Sequence, residues 1–201
     1  QTLLPMLDEV AKMIELDLNS IDAIAIAGGP GSFTGLRIGS ATAKGLGLAL
    51  NKPLIHVPTL DATAYNLFGA SGLICPIMDA RRNQVYAAFY MWENGKLIRL
   101  TDHMAESIER VIEIAEMLEH EVIFLGDGVP VHRERLEQNP AFLFAPAHCN
   151  MQRASAVAAL GAIMAEEGLA KPGNAFELIY LRKSQAERER EARLEKEEAG
   201  E

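Results

Sequence analysis

The sequence predicts an α/β protein made of two units, and three features of the chain support this fold class. Apolar segments at residues 21–27 and 54–57 alternate with helical patterns, and such alternation is typical of a parallel sheet. A glycine-rich turn at residues 28–31 joins the first of these segments to a helix. Further along, short strand-like segments follow one another, and one pair is joined by Asn94-Gly95, which is typical of a hairpin. The 201 residues can form one domain or two small ones.

Composition narrows the classes of function. The apolar fraction of 49% fits a soluble globular protein, and the formal net charge of −9 argues against a broad basic surface for nucleic acid. Cys75 and Cys149 lack metal-like spacing, so we expect reduced core residues of a cytosolic protein. No apolar run approaches the ~18 residues that a membrane span requires. We therefore expect a cytoplasmic protein with no membrane partner.

The first helix is predicted from the start of the chain to about residue 16. Its apolar residues recur at helical spacing and form one face, which contains Leu3, Leu7, Val10 and Ile14. The chain starts at Gln1 without a methionine and runs straight into this pattern. We therefore expect a segment upstream of it.

The glycine-rich turn has two interpretations. Its glycines permit unusual backbone angles, and Ser32 can cap the helix that follows. Such a turn can direct backbone N–H groups at an anion, which gives a possible residual anion site at Gly29, Gly31 and Ser32. A phosphate-binding P-loop requires a lysine after its last glycine, whereas Leu36 follows Gly35 here. The alternative is a purely structural turn.

The second helix, predicted to end near residue 50, has a stripe of small residues on one face. The stripe has a spacing of four and contains Gly35, Gly39, Ala43 and Gly47, with Leu36 and Leu46 beside it. Each interior glycine costs about 1 kcal/mol relative to alanine, so we expect a close backbone contact to offset that cost. The contact is either with the chain's own sheet or first helix, or with a helix of another subunit.

The remaining elements follow from periodicity and from turn residues. Strands are predicted at residues 54–57, 73–79, 85–91, 97–100, 122–125 and 142–145, and helices at 59–68, 106–118 and 154–167. We expect the first lobe in residues 1–70 and the second in residues 71–181. Residues 182–201 are fully polar, and they predict a charged tail, either a solvated helix or disordered.

Four segments together resemble one protein family. They are AIAGGPGSFTGLRIG at residues 25–39, VPTL at 57–60, MDAR with VY at 78–86, and YLRKSQ at 180–185. The chain resembles the bacterial threonylcarbamoyladenosine biosynthesis proteins called TsaB or YeaZ. The resemblance implies the actin-like, sugar-kinase and heat-shock ATPase fold, a ribonuclease H-like fold of two α/β lobes. It also implies that the first strands of lobe one lie upstream of Gln1.

The resemblance implies a function in tRNA modification. Members of this family act in adding the N6-threonylcarbamoyl group to adenosine 37 of tRNAs that read codons beginning with A. They do so as partners of the catalytic paralogue TsaD, together with the ATPase TsaE. Contact with tRNA is then indirect, through the complex.

Departures from the catalytic paralogue suggest that this chain is not an enzyme. Where that paralogue has a His-x-x-x-His metal pair, this chain has Thr59 and Thr63, which cannot replace imidazole ligands. Where it has a Gly-Gly turn against nucleotide phosphates, this chain has residues 81–83, Arg-Arg-Asn. We therefore expect no catalytic residue, no metal and no cofactor, although a nucleotide at the partner junction stays open.

The first two helices are the expected partner interface. We expect them to pair with the same two helices of a TsaD-like paralogue, and with a second copy of this chain when it is alone. The interface residues are Leu3, Leu7, Val10, Ile14, Gly35, Leu36, Gly39, Ala43 and Leu46. Alternatives are an active phosphotransferase or ATPase of the same fold and a binding module for another partner. A metalloprotease would need a metal site that the spacing of the five histidines does not provide.

Overall fold

The computed structural model of the chain describes residues 2–181. The helices are α1 (Leu3–Met13), α2 (Phe33–Leu50), α3 (Thr59–Tyr65), α4 (Ile108–Met117), α5 (Val129–Leu136) and α6 (Ala154–Glu166). The strands are β1 (Ile24–Ala27), β2 (Leu54–Val57), β3 (Leu73–Asp79), β4 (Gln84–Ala87), β5 (Tyr90–Glu93), β6 (Lys96–Arg99), β7 (Met104–Ser107), β8 (Val122–Leu125) and β9 (Phe142–Phe144). The predicted charged tail, residues 182–201, lies outside the described residues.

The first sheet consists of β1 and β2, which pair in parallel with Ile24 opposite Leu54. Side chains alternate between the two faces of these strands. Leu54 packs toward α2, where it contacts the cluster around Ala43. Ile55 packs on the opposite face, against Val157 of α6. The sheet is therefore covered by one helix from each end of the chain.

The chain returns to the first sheet after residue 153. α6 lies against both strands, Lys171 forms an antiparallel bridge with Leu54, and Phe176 is buried in the same cluster as Ala43. These contacts attach residues 154–176 to the first sheet. The predicted bounds of the two lobes, 1–70 and 71–181, stay predictions.

The second sheet is mixed and has β3 at its centre. On one edge β3 pairs in parallel with β8, which pairs in parallel with β9. On the other edge it pairs antiparallel with β4 and β5, and these pair with β7 and β6 respectively. The predicted antiparallel meander is therefore present, next to a parallel half of the same sheet.

The strand predicted at residues 85–91 is interrupted and forms β4 and β5. The break falls at Phe89, whose N–H donates to Thr101 Oγ1 at 3.0 Å and whose carbonyl accepts from Leu100 N–H at 2.7 Å. A threonine hydroxyl thus takes the place of a backbone carbonyl as the acceptor for the Phe89 N–H. The apolar pattern continues through the break, because Ala88 and Phe89 are both buried and pack in the clusters on the two faces of the sheet.

α3 and α4 cover opposite faces of the second sheet. Val111 of α4 packs with Phe124 on one face, and Leu60 of α3 packs with Tyr90 on the other. The end of α3 continues into an aromatic cluster in which the Trp92 ring centroid lies 4.7 Å from Phe68 and 5.4 Å from Tyr65. Ala62 of α3 also packs toward α6, so this helix contacts both halves of the fold.

Two elements were not predicted from the sequence, α5 and β7. α5 is short and carries Arg133, Glu134 and Arg135 in succession, so its apolar residues show no helical period. β7 occupies the start of the predicted helix at 106–118, and α4 begins only at Ile108. Ser107 explains that boundary, because its Oγ accepts from Arg110 N–H at 3.2 Å and caps the helix.

Candidate partner-docking surface

α1 lies beside α2 and buries none of its own residues in the described part of the chain. Three of the predicted interface residues lie on α1 and are exposed, from Leu3 at 37% to Val10 at 54%, and a fourth, Ile14, follows the helix and is 64% exposed. The exposed apolar residues of α1 and its end are Leu3, Leu4, Met6, Leu7, Val10, Met13 and Ile14. A helix with this much apolar surface outside is a candidate for contact with another protein.

The small-residue stripe of α2 faces the chain's own first sheet. Ala43 is buried with Leu54, and a Cβ at Gly39 would lie 3.7 Å from Ile26 Cδ1. A Cβ at Gly47 would lie 2.9 Å from the Lys52 carbonyl oxygen. Of the two contacts left open by the sequence, the structure has the one within the chain.

The other residues of α2 that were predicted for the interface lie in three different environments. Leu36 is buried and packs toward the glycine turn, where a Cβ at Gly31 would lie 3.8 Å from its side chain. Gly35 is exposed. Leu46 is half-buried and points into the space between α1 and α2, together with Leu3 and Leu7 of the first helix.

A second row on α2, which we call the outer row, was missed by the sequence analysis. It consists of exposed residues at alternating spacings of four and three, which are Thr34, Ile38, Ala41, Gly45 and Leu48. None of them is charged, Leu48 is 86% exposed, and a Cβ at Gly45 would have no neighbour within 4 Å. The same periodicity count that found the inner stripe could have found this row, because uncharged solvent-facing positions are unusual on a surface helix.

An apolar cavity of about 740 Å³ separates α1 from the first sheet. Its lining includes Leu3 and Leu7 of α1, Leu46 of α2, Ile26 of β1 and Val157 of α6. Within residues 2–181, β1 pairs with a single strand, β2, and its other edge is unpaired. α1 therefore rests over a wide apolar space, with little of its surface packed.

The glycine turn is held by the chain itself. Ile179 N–H donates to the Gly28 carbonyl at 2.9 Å, and Thr59 N–H donates to the Gly29 carbonyl at 2.8 Å. A Cβ at Gly29 would collide with the Ile179 carbonyl oxygen, and Gly29 has a φ of 115°. Ser32 Oγ accepts from Gly35 N–H at 3.3 Å. These contacts account for Gly29 and Ser32 without a ligand, and the residual anion site, which includes Gly31, stays a prediction.

His56 connects β2 to the segment that covers the turn. Its Nδ1 lies 2.8 Å from the Glu177 carbonyl oxygen, and its ring fills the space that a side chain at Gly28 would need. Burial lowers the pKa of His56 below its ordinary value of 6.5. The histidine is thus a packing residue between a strand and a turn.

The two threonines in place of a histidine pair point into the protein. Thr59 and Thr63 are buried, and Thr63 Oγ1 donates to the Thr59 carbonyl at 2.7 Å. Between residues 2 and 181, no group of three histidine, cysteine, aspartate or glutamate side chains could hold a metal ion. The expected absence of a metal remains an expectation for the whole protein.

A polar cluster fixes α3 to the second sheet. Tyr90 Oη donates to Asp61 Oδ1 at 2.7 Å, and His103 Nε2 lies 2.7 Å from the same oxygen. Burial, followed by the nearby Asp61 charge, raises the pKa of Tyr90 far above its ordinary value. The cluster lies where α3 meets β5, and the raised pKa keeps the Tyr90 hydroxyl protonated as a hydrogen-bond donor.

No helix in residues 2–181 combines the length and apolar character needed to cross a membrane.

Known proteins match this chain over most of its length. The family model described as TsaD, tRNA N6-adenosine threonylcarbamoyltransferase, matches residues 1–189. The tRNA threonylcarbamoyladenosine biosynthesis protein TsaB of Bacillus subtilis is 33% identical over 134 residues, which cover 67% of this chain and 58% of that protein. TsaB of Haemophilus influenzae is 32% identical over 146 residues, covering 68% and 61%. The chain spans less than two thirds of the length of these curated relatives.

The fold has a close counterpart among solved structures. YeaZ from Pseudomonas aeruginosa superposes with a TM-score of 0.73 at 25% identity, over 89% of this chain and 83% of that one. The mixed α/β architecture and the actin-like ATPase fold class expected from the sequence are therefore confirmed. The matching model, these relatives and this fold show that the chain belongs to the TsaD family and confirm its predicted resemblance to the TsaB (YeaZ) proteins.

Proposed function

We propose that the chain is a non-catalytic scaffold that binds and activates a TsaD-like paralogue during threonylcarbamoyladenosine synthesis on tRNA. The names of its relatives support a role in this biosynthesis. The exposed apolar surface of α1 and α2 supports binding to a partner protein. In this proposal the protein works in the cytoplasm, with a TsaE-like ATPase as a further component. The tRNA is bound through the complex, in keeping with the formal net charge of −9.

The docking surface is the exposed apolar face of α1 together with the outer row of α2. Contiguous apolar patches above a few hundred Å² are rare on monomers and mark contacts with other proteins. The outer row adds small residues, Ala41 and Gly45, which let a second helix approach closely. The inner stripe contributes to this surface indirectly. It packs α2 closely on its own sheet, and this packing keeps the outer row facing solvent.

Two replacements favour a scaffold over an enzyme. Thr59 and Thr63, which stand where the catalytic paralogue has a metal-binding histidine pair, are buried, and the Thr63 hydroxyl donates to the Thr59 backbone carbonyl. The Arg81-Arg82-Asn83 turn carries three side chains where the catalytic paralogue approaches phosphates with glycines. The active ATPase alternative predicts nucleotide hydrolysis by the chain alone, and a rate equal to that of buffer would dismiss it.

Leu48→Glu is the sharpest test of the docking surface. Placing a carboxylate in an apolar interface should weaken binding to a TsaD-like paralogue at least about tenfold, since hot-spot changes cost on the order of 2 kcal/mol. Calorimetric titration of the two purified proteins gives the affinity, and modified adenosine in tRNA gives the activation. Sedimentation of the chain alone should show the same variant shifted from dimer to monomer.

Met117→Glu is the matched control, because Met117 is 74% exposed on α4, a helix of the second sheet that is not part of the docking surface. It should leave the affinity and the activation unchanged. Full affinity of Leu48→Glu would place the interface elsewhere. Equal losses in both variants would instead point to a general effect of added negative charge.

A further inference from the structure

The outer row of α2 is bordered on one side by positive charge. Arg37 and Lys44 are the two charged residues of α2, and they lie seven positions apart on one side of the helix. Lys52, just beyond the end of the helix, lines the same recess as Lys44. We call these three cations the basic rim. Leu46, which borders the space toward α1, lies on the opposite side of the outer row.

No acidic residue balances the basic rim. The sequence contains 28 aspartates and glutamates, and none of them lies between Asp22 and Asp61. Between residues 2 and 181, no carboxylate forms an ion pair with Arg37, Lys44 or Lys52. α2 also has no acidic residue in its first turn, where the helix dipole favours one. The rim is thus a local excess of positive charge in a chain whose formal net charge is −9.

Aromatic rings of the chain itself restrict two of these cations. The Arg37 guanidinium carbon lies 4.0 Å from the centroid of the Phe33 ring, and Lys44 Nζ lies 5.8 Å from the centroid of the Phe176 ring. A ring attracts a cation without cancelling its charge. Both side chains are therefore partly ordered before an anion binds, which reduces the ordering cost of binding.

The basic rim ends in a recess beside Leu48 of the outer row. The recess has a volume of about 660 Å³, and Lys44 and Lys52 line it together with Leu48 and Pro172. Lys52 Nζ donates to the Asn19 carbonyl at 3.1 Å, and an ammonium group has two further donors. A partner that packs on Leu48 therefore meets two ammonium groups directly beside its apolar contact.

We propose that the basic rim selects a partner helix that carries carboxylates beside its apolar face. The occupant is a helix of the TsaD-like paralogue, so this inference rests on the proposed docking function and adds the chemistry of the partner. The apolar face of that helix covers the outer row, and its carboxylates lie along Arg37, Lys44 and Lys52. Complementary charges of this kind accelerate association and fix the orientation of the partner.

A second copy of this chain matches the basic rim less well. A two-fold pair brings the same patch of both copies together. When the two α2 helices are antiparallel, the rims of both copies lie on the same side of the interface, where like charges cost affinity. A partner with carboxylates at these positions has no such cost. The rim therefore favours the paralogue over self-association.

The rate of association with the purified TsaD-like paralogue tests this proposal. The triple variant Arg37→Gln/Lys44→Gln/Lys52→Gln, which we call the rim variant, should associate at least about tenfold more slowly than the unaltered chain at ~0.1 M salt, because steering by charge contributes about 10-fold to 1,000-fold. At ~1 M salt, where the Debye length is ~3 Å, the two rates should agree. Stopped-flow mixing at both salt concentrations measures them.

Lys96→Gln/Arg110→Gln/Arg133→Gln is the matched control, because it removes the same charge from exposed positions outside the docking surface. It should associate within about twofold of the unaltered chain at ~0.1 M salt, since charges more than ~10 Å away are largely screened there. Equal slowing of both triple variants would overturn the proposal, because net charge alone would then explain the effect.

Leu48→Glu separates a failure of the rim from a failure of the docking surface. If Leu48→Glu loses affinity while the rim variant associates at the unaltered rate, the docking surface stands and the rim proposal is overturned. If neither variant changes the association, both proposals are overturned. A rim variant that loses self-association but binds the paralogue normally would assign the rim to a second copy of the chain, which also overturns the proposal.

Discussion

At the scale of single residues, His56 links two parts of the chain that are far apart in sequence. Its Nδ1–H donates to the Glu177 carbonyl at 2.8 Å, and its ring lies 5.6 Å from the Phe176 ring. Burial is the largest influence on its pKa, which lies below 6.5. Protonation of this imidazole therefore opposes the packing of the C-terminal segment on β2.

His56 gives the stability of the protein a defined pH dependence. Because the pKa of His56 is lower in the folded than in the unfolded chain, its contribution is complete above pH 6.5 and is lost as the pH falls toward the folded pKa. One such histidine contributes a slope of at most about 1.4 kcal/mol per pH unit. We expect His56→Asn to reduce the slope of the free energy of unfolding against pH, measured by urea titration.

His120→Asn serves as the control, because His120 is exposed. His132, whose pKa is also lowered by burial, should preserve part of the slope in the His56 variant. An unchanged slope in His56→Asn would show that the histidine does not couple protonation to folding.

At the scale of elements, α2 presents two different surfaces. Its inner stripe lies against the first sheet, and its outer row faces solvent. Gly47 and Gly45 are two residues apart and belong to these opposite surfaces. A Cβ at Gly47 would lie 2.9 Å from the Lys52 carbonyl oxygen and 3.0 Å from Leu54 Cδ2, whereas a Cβ at Gly45 would have no neighbour within 4 Å.

Alanine at these two glycines should have opposite effects on stability. Gly45→Ala removes backbone freedom of the unfolded chain without a clash, so we expect a gain of about 1 kcal/mol in the free energy of unfolding. Gly47→Ala forces the helix away from β2, with an expected loss of about 1–3 kcal/mol. Urea unfolding of the isolated protein measures both. Changes of equal sign would contradict the assignment of the two surfaces.

Periodicity predicted where most elements lie but not what covers them. β2, β3 and β8 begin and end at the predicted residues, because Pro53, Gly72 and Gly126 lie next to their ends. The inner stripe was also recognised from spacing. Spacing shows which residues share a face, whereas the element packed on that face depends on contacts distant in sequence. Spacing could therefore have found the outer row as a set of residues, but its exposure to solvent depends on such contacts.

At the scale of the whole molecule, the first sheet depends on both ends of the described chain. Two parallel strands alone make a marginal sheet, and α6 covers one face of this one. Gly161 allows the contact, since a Cβ there would lie 2.6 Å from Ala25 Cβ. The second sheet has its own core around Phe89 and Phe124 and does not need α6.

Gly161→Val should separate the stabilities of the two sheets. The added side chain pushes α6 from β1, with an expected loss of about 1–3 kcal/mol. Hydrogen exchange should then show lower protection for amides of β1 and β2 than for those of β3 and β8. Ala159→Val introduces the same β-branched side chain on the exposed side of the same helix, where it has no strand to displace. Equal loss of protection in both variants would rule out the close contact as the cause.

The aromatic cluster at the end of α3 gives the protein an optical reporter. The sequence contains one tryptophan, Trp92, and its ring is surrounded by Tyr65 and Phe68. Its fluorescence therefore follows the junction of α3 with β5, which is separate from the proposed docking surface on α1 and α2. In Gly161→Val, the emission should keep its native wavelength while the first sheet opens. One intrinsic chromophore thus distinguishes local opening from global unfolding without any added label.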